Sequence, residues 1–172
     1  MSTQGTHTLQ FFVTLLADLQ EFKLIATCLS PHIAELAYLN NATHFIQKVI
    51  FYFPLEVTLP FFATASKYFV DFALNKNSIC VLKQMMKKIK VVEVEHSFDE
   101  SVLKELKKNF MSPLMMNFDK IIQDSFGNYV VQFVYECLGE YYCVGITEMI
   151  LKRFIRYSLH KFSGNVVYKC IS

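Results

Sequence analysis

Glycine and proline are scarce, five and four in 172 residues, and long stretches hold neither. Many short strands joined by tight turns would need such punctuation, so the pattern favours helices. The five cysteines, Cys28, Cys80, Cys137, Cys143 and Cys170, are odd in number and scattered, and no two stand as C-x-x-C. Neither a disulfide framework nor a zinc site follows, and a reduced, cytoplasmic setting is the expectation. The start, "MSTQGTHTLQ", lacks the basic residues and apolar run of a signal peptide. The most apolar tract, "VIFYFPLEVTLPFFATA", is broken by Pro54, Glu56 and Pro60. A spanning helix needs about 20 uninterrupted apolar residues, so this tract reads as buried helices joined by a turn, and no membrane is expected.

Charge of one sign is also missing. Seventeen basic against fifteen acidic residues leave a formal +2, which neither announces nor excludes a polyanion partner. Catalytic signatures are absent: there is no G-x-S-x-G, P-loop, H-E-x-x-H or dinucleotide fingerprint. "EVEHSFDE" sets His96 among Glu93, Glu95, Asp99 and Glu100, but at a helix start this is a solvated acidic turn rather than a metal site. An enzyme is not expected, nor a cofactor. What the chain does hold is 53% hydrophobic residues, including 17 phenylalanines, a composition that excludes disorder.

A frame of six residues recurs: "GTHTLQ" at 5–10, "ATHFIQ" at 42–47, "SICVLK" at 78–83, "GNYVVQ" at 127–132 and "SGNVVY" at 163–168. The steps between their last residues are 37, 36, 49 and 36. A period near 36, with a small residue first, two variable residues, two apolar ones and a polar end, marks a helical repeat. The long step implies about 13 extra residues near 88–101, and "SFDESVLKELKKNF" there carries a capping box, Ser97 and Glu100, before the apolar stripe Val102, Leu103, Leu106 and Phe110. "VVEVEHS" before it reads as a short loop. "SPHIAELAYL" and "SPLMMNFDKIIQ" each suggest a helix with a serine N-cap, Ser30 or Ser112, and proline at the first helical position. Ile33, Leu36 and Ala37, and Met115, Phe118, Ile121 and Ile122, supply their apolar faces.

Within the fourth frame, Asn128 and Gln132 stand four apart, on one face of a helix, with Tyr129 beside them. Projecting in parallel, the two amides would meet one flat polar edge while the ring lies against a face, which suits a single unstacked base. One base per helical repeat, read by two or three side chains, is a mode of single-stranded RNA recognition. Asn128 taken alone is an ordinary helix-start residue after Gly127; recurrence of the frame favours base contact.

These residues carry a family resemblance. "IIQDSFGNYVVQFV" closely resembles the core of a Pumilio (PUF) repeat, and "SLHKFSGNVVYKCI" resembles the late repeat that ends in Ser-Asn-x-x-Glu in that family. "LSPHIAELAYLNNATHFIQKVI" and "NKNSICVLKQMM" match with more drift, so the resemblance covers nearly the whole chain. It implies an all-α fold, a right-handed α-solenoid of about five Pumilio-type helical repeats, as one domain over 1–172. The five frames look like successive repeats from the middle and C-terminal half of an eight-repeat array, beginning and ending inside repeats. The resemblance further implies binding of single-stranded RNA, a U-rich or UGU-type element of messenger 3′ untranslated regions, on a concave face, with repression of the message and protein co-regulators.

Carried over repeat by repeat, the pattern holds at Asn128, Tyr129 and Gln132. His44 fits the stacking place and Gln47 the edge-reading one, with Thr43 where the family has Asn, Cys or Ser. Thr6, His7 and Gln10 have the same form. In the third frame Ile79 cannot hydrogen-bond a base and Cys80 offers little stacking surface, though Lys83 could reach a phosphate. In the fifth, Asn165 keeps its place while Gly164 and Tyr168 replace the serine and glutamate that read guanine. These departures favour a competing reading, a degenerate scaffold that has lost specific RNA binding and binds proteins. Three plainer expectations complete the set. Lys83, Lys87, Lys88 and Lys90 form a solvated face, Met85, Met86, Met115 and Met116 fill the core, and bare apolar ends favour self-association.

Overall fold

A computed structural model describes residues 3–16 and 18–171, without the side chains of Thr3, Gln4 and Thr6. Helix α1 spans Thr3–Leu15 and α2 Leu19–Leu29; a 3₁₀ turn over Ser30–His32 leads into α3, Ile33–Leu36, and α4 is Asn40–Tyr52. Helices α5 (Leu55–Lys67) and α6 (Phe69–Ala73) precede α7 (Ser78–Val94), and α8 (Glu100–Met116) and α9 (Phe118–Ile122) precede α10 (Gly127–Cys137). Helices α11 (Glu140–Lys152) and α12 (Phe154–Leu159) precede α13 (Ser163–Ile171). There is no strand among the described residues. None of these helices is long and apolar enough to cross a membrane.

Each of the five frames lies on its own helix: α1, α4, α7, α10 and α13. These pack in sequence order, α1 on α4, α4 on α7, α7 on α10 and α10 on α13, as an inner row. The intervening helices form an outer row, α2 on α5 and α5 on α8, tied inward by the short helices α3, α6, α9 and α12. The architecture is an all-α solenoid.

Its chemistry explains the frame. The fourth and fifth positions, Phe45 and Ile46, Val81 and Leu82, Val130 and Val131, Val166 and Val167, are all buried between neighbouring helices. The first position is small because it abuts a carbonyl of the preceding short helix. Ser78 Oγ donates to Phe72 O at 3.0 Å and Ser163 Oγ to Tyr157 O at 2.8 Å. At Gly127 an added Cβ would lie 2.5 Å from Ile121 O. The turn before each of these three frames is closed by a side chain eight residues ahead of the frame's end. Asn75 accepts from the amides of Asn77 and Ser78, Asp124 from those of Phe126 and Gly127, and His160 Nδ1 from that of Phe162. Such local acceptors satisfy the orphan amides of a helix start.

Several sequence expectations need correction. Neither Ser30 nor Ser112 is an N-cap. Ser30 Oγ donates back to Ala26 O at 2.7 Å, and Ser112 and Pro113 lie inside α8. Pro113 has no amide to give Asn109 O, the acceptor four residues back; Ser66 Oγ of α5 donates to that carbonyl instead, at 2.9 Å. An interior proline is thus tolerated because a neighbouring helix supplies the missing donor. The capping box at Ser97 and Glu100 does not form: Asp99 is the N-cap of α8, accepting from the amides of Ser101 and Val102. Asp18 with Glu21 does form such a box, at α2. "VVEVEHS" is helical through Val94, because α7 runs past the ends of its neighbours. Met85 and Met86 are buried and Met115 partly so, but Met116 is 84% exposed at the end of α8.

The lysine face is not merely solvated. Lys88 Nζ donates to Phe51 O at 3.0 Å and Lys90 Nζ to Glu136 O at 2.7 Å. Both acceptors are carbonyls in the last turns of α4 and α10, where a cation also meets the negative end of the helix dipole. The overlong α7 therefore pins both neighbours. Where the long step falls, α8 and α11 diverge and leave a cleft of about 870 Å³, walled by Leu103, Met111, Leu138 and Tyr142, with the buried Lys107 paired to Glu93.

Replacing Gly127 by alanine should destabilise the fold by about 1–3 kcal/mol, through overpacking against the Ile121 carbonyl. Urea unfolding of the two proteins measures it; an unchanged midpoint would show that α10 shifts freely.

Candidate nucleic-acid interface

The second, third and sixth frame positions are the expected contacts, and the inner row separates them sharply. The second position is buried: Thr43 3% exposed, Ile79 5% and Asn128 1%. Thr43 Oγ1 donates to Asn40 O at 2.9 Å. Asn128 Nδ2 donates to Asp124 O and Ser125 O at 2.9 and 3.0 Å, and its Oδ1 accepts from Gln132 Nε2 at 3.0 Å. Parallel projection of Asn128 and Gln132 is therefore corrected: the Asn128 amide ties the α10 start to its own turn, and Gln132 is anchored upon it. Gly164 is half-buried on α13, 3.2 Å from Ser158 O at its Cβ direction. The Thr6 side chain lies outside the described residues.

The third position faces outward. His7, His44, Tyr129 and Asn165 are exposed and Cys80 is half-buried, one on each successive inner helix. At the sixth, Gln10, Gln47, Lys83 and Gln132 are half-buried and Tyr168 is 76% exposed. Gln47 Nε2 donates to Thr43 O at 3.1 Å, within its own helix. The row thus presents imidazole, imidazole, thiol, phenol and amide in order, each with a longer polar side chain one turn on. Three of the five, His7, His44 and Tyr129, are rings on which a base could stack.

Lys83 departs from this order. Its ammonium lies 4.1 Å from the Phe133 ring centroid and 5.6 Å from that of Tyr129, and Lys87 lies 5.7 Å from Phe133. These cation–π contacts contribute about 0.5–1 kcal/mol each at exposed sites. They place a lysine against the one tyrosine of the row, across the α7–α10 seam. Sequence inspection passed over Phe133 and Phe51, although each follows a frame end by one or four residues. Phe51, 60% exposed and edge-on to Tyr52 at 5.0 Å, stands on the same face as Gln47. A cleft of about 310 Å³ lies beside it, lined by Gln10, His44, Gln47, Lys48, Phe51 and Tyr52. The described residues hold no cluster of metal-ligating side chains.

Among solved structures, the chain matches the Puf4 RNA binding domain bound to the HO endonuclease RNA 3′ UTR recognition sequence, with TM-score 0.81 and 28% identity, covering 96% of this chain and 48% of that one. The chain has the Pumilio-repeat fold. Curated relatives agree: Pumilio homolog 12 of Arabidopsis thaliana is 27% identical over 172 residues, 97% of this chain and 26% of its own length. Pumilio homology domain family member 4 of Saccharomyces cerevisiae is 28% identical over 156 residues, 88% of this chain and 16% of its own. No family model matches. The chain spans about a quarter or less of these curated relatives, and about half of the solved Pumilio-repeat chain.

Within these Pumilio-type repeats Asn128 has a structural task, and its removal should register without any ligand. Asn128→Ala removes the side-chain donor to the half-buried carbonyls of Asp124 and Ser125 and the acceptor that holds Gln132, and should cost about 1–3 kcal/mol of stability, read by thermal or urea unfolding. A variant as stable as the parent would show that Asn128 is free for another partner.

Proposed function

We propose that the chain binds single-stranded RNA along the inner row, by stacking bases on the exposed third-position side chains. The observation that carries this is the outward third position, with His7, His44, Tyr129 and Asn165 exposed on four of the five inner helices and the half-buried Cys80 on α7 between them, on a Pumilio-repeat fold. The Puf4 domain it matches is bound to a 3′ UTR recognition sequence, which supports a messenger element as the target, U-rich or UGU-type. Post-transcriptional control of such messages in the cytoplasm, together with protein co-regulators, is the cellular role that follows from this reading. Gln47 and Gln132 supply amide edges near the stacking places; Thr43 and Asn128 act behind them as supports. With a net charge of only +2, stacking rather than bulk electrostatics would carry most of the affinity.

A second reading, a scaffold whose partners are proteins, is favoured by one observation: Ile79 and Lys83 deny the third repeat a base edge, and Cys80 denies it a stacking surface. Apolar side chains at both ends of the array, Phe11, Leu15 and Leu24 on one side and Ile155, Leu159 and Ile171 on the other, are more than half exposed and favour self-association through those faces. Sedimentation velocity across a concentration series measures it; a concentration-independent monomer overturns it.

Fluorescence anisotropy with a labelled UGUA-containing RNA and a scrambled control decides between the readings. Tyr129→Ala and His44→Ala should each weaken binding by about 1–3 kcal/mol, and the parent should prefer the UGUA sequence. No binding by the parent would turn the search to protein partners.

A further inference from the structure

The inner row has a second cleft, of about 420 Å³, between α4 and α7. Its lining combines Phe51 of α4 with Gln84, Lys87, Lys88 and Lys90 of α7, and Glu95 beyond them. We infer that this cleft is an accessory subsite for one nucleotide of a bound single strand, displaced from the row of frame positions by one helical turn. The inference rests on the RNA-binding reading above and deepens it.

The geometry follows from the frame. Phe51 stands four residues after Gln47 and Lys87 four after Lys83, so each lies on the same face as the sixth position, about 6 Å further along its helix. The third frame offers a passing nucleotide little: Ile79 is buried, Cys80 has no ring, and Lys83 is engaged with Phe133 and Tyr129. One turn on, the three elements of a base site reappear. Phe51 is 60% exposed and offers a stacking surface. Gln84 is half-buried, and its amide makes no side-chain hydrogen bond among the described residues, so donor and acceptor remain for a base edge. Lys87 is exposed, its ammonium 5.7 Å from the Phe133 ring against 4.1 Å for Lys83, and supplies a cation for phosphate.

The neighbouring charges have other duties or offset one another. Lys88 and Lys90 hold the carbonyls of Phe51 and Glu136, and burial lowers the pKa of Lys88 while Glu95 and Glu56 oppose that shift. Glu95 is the acid of the lining, at the far end of α7 from Gln84. The wall it belongs to exists because α7 continues to Val94 while α4 ends at Tyr52. The same extension that pins the neighbouring helices therefore also builds the cleft. A ring, an amide and a cation on two adjacent helices are the groups that hold a nucleotide of a single strand.

The test is anisotropy with a labelled nine-nucleotide RNA chosen for binding to the parent chain, comparing Phe51→Ala, Lys87→Ala and Tyr129→Ala at several salt concentrations. Phe51→Ala should weaken binding roughly 5- to 150-fold, and Lys87→Ala should reduce the slope of log affinity against log salt by about 0.7, the value for one phosphate of a single strand. Both side chains are exposed, so the variants should fold as the parent does, checked by circular dichroism. If Phe51→Ala and Lys87→Ala bind like the parent while Tyr129→Ala is weakened, the subsite is overturned and the stacking row stands. If the parent binds no RNA, both readings fall together.

Discussion

Everything in this molecule depends on a nearest-neighbour constraint: an inner helix can bury its apolar pair only against the inner helices before and after it. Val130 and Val131 are covered by α7 and α13, as Val81 and Leu82 are by α4 and α10. Because the same two positions are spent in the last four repeats, the rest of the helix surface there is assigned in advance; on α1 the pair is Thr8 and Leu9, both exposed. The small first position must clear a carbonyl of the preceding short helix, and the third position is left facing out. The outward row of third positions is thus a by-product of how the core is closed, and its spacing is that of the packed helices.

That constraint also explains where individual side chains were diverted. The second position lies between the buried pair and the helix start, so a polar residue there is drawn into the helix's own hydrogen bonds. Thr43 and Asn128 donate to carbonyls one turn back, and Ile79 needs no such partner. Asn128 in turn holds Gln132, so the two amides act in series rather than side by side. Lysines at helix ends behave likewise. Lys88 and Lys90 complete carbonyls that α4 and α10 cannot satisfy themselves, and this becomes possible only because α7 outlasts both.

The interruption of the period has a structural counterpart on the outer row. α2, α5 and α8 pack consecutively, whereas α8 and α11 meet where Met115 approaches Gly145 and part around a cleft. Most of the extra residues are absorbed by lengthening α7 and α8, the rest by the longer turn between them. Asp119 of α9, which accepts from the Tyr157 hydroxyl and from Arg153, ties the fourth unit to the fifth beyond this gap. Continuity is carried there by the short helices.

The sequence by itself determined the number of repeats, their helical nature, the buried pair in four of them and the small residue ahead of it. Those are properties of spacing and side-chain size, and spacing is read directly from a chain. It also put His44, Tyr129 and Asn165 at one frame position, and that position is exposed on α4, α10 and α13. Only the tertiary structure decided that Asn128 is buried, that Pro113 is harmless, that Asp99 rather than Ser97 caps α8, and that Lys88 and Lys90 serve neighbouring helices. Each of these turns on a hydrogen-bond partner chosen among competing acceptors, some of them in another repeat. The partner of Pro113's orphaned carbonyl, Ser66, is 43 residues from Asn109 along the chain, and no local pattern records a contact that only the packing of α5 on α8 creates.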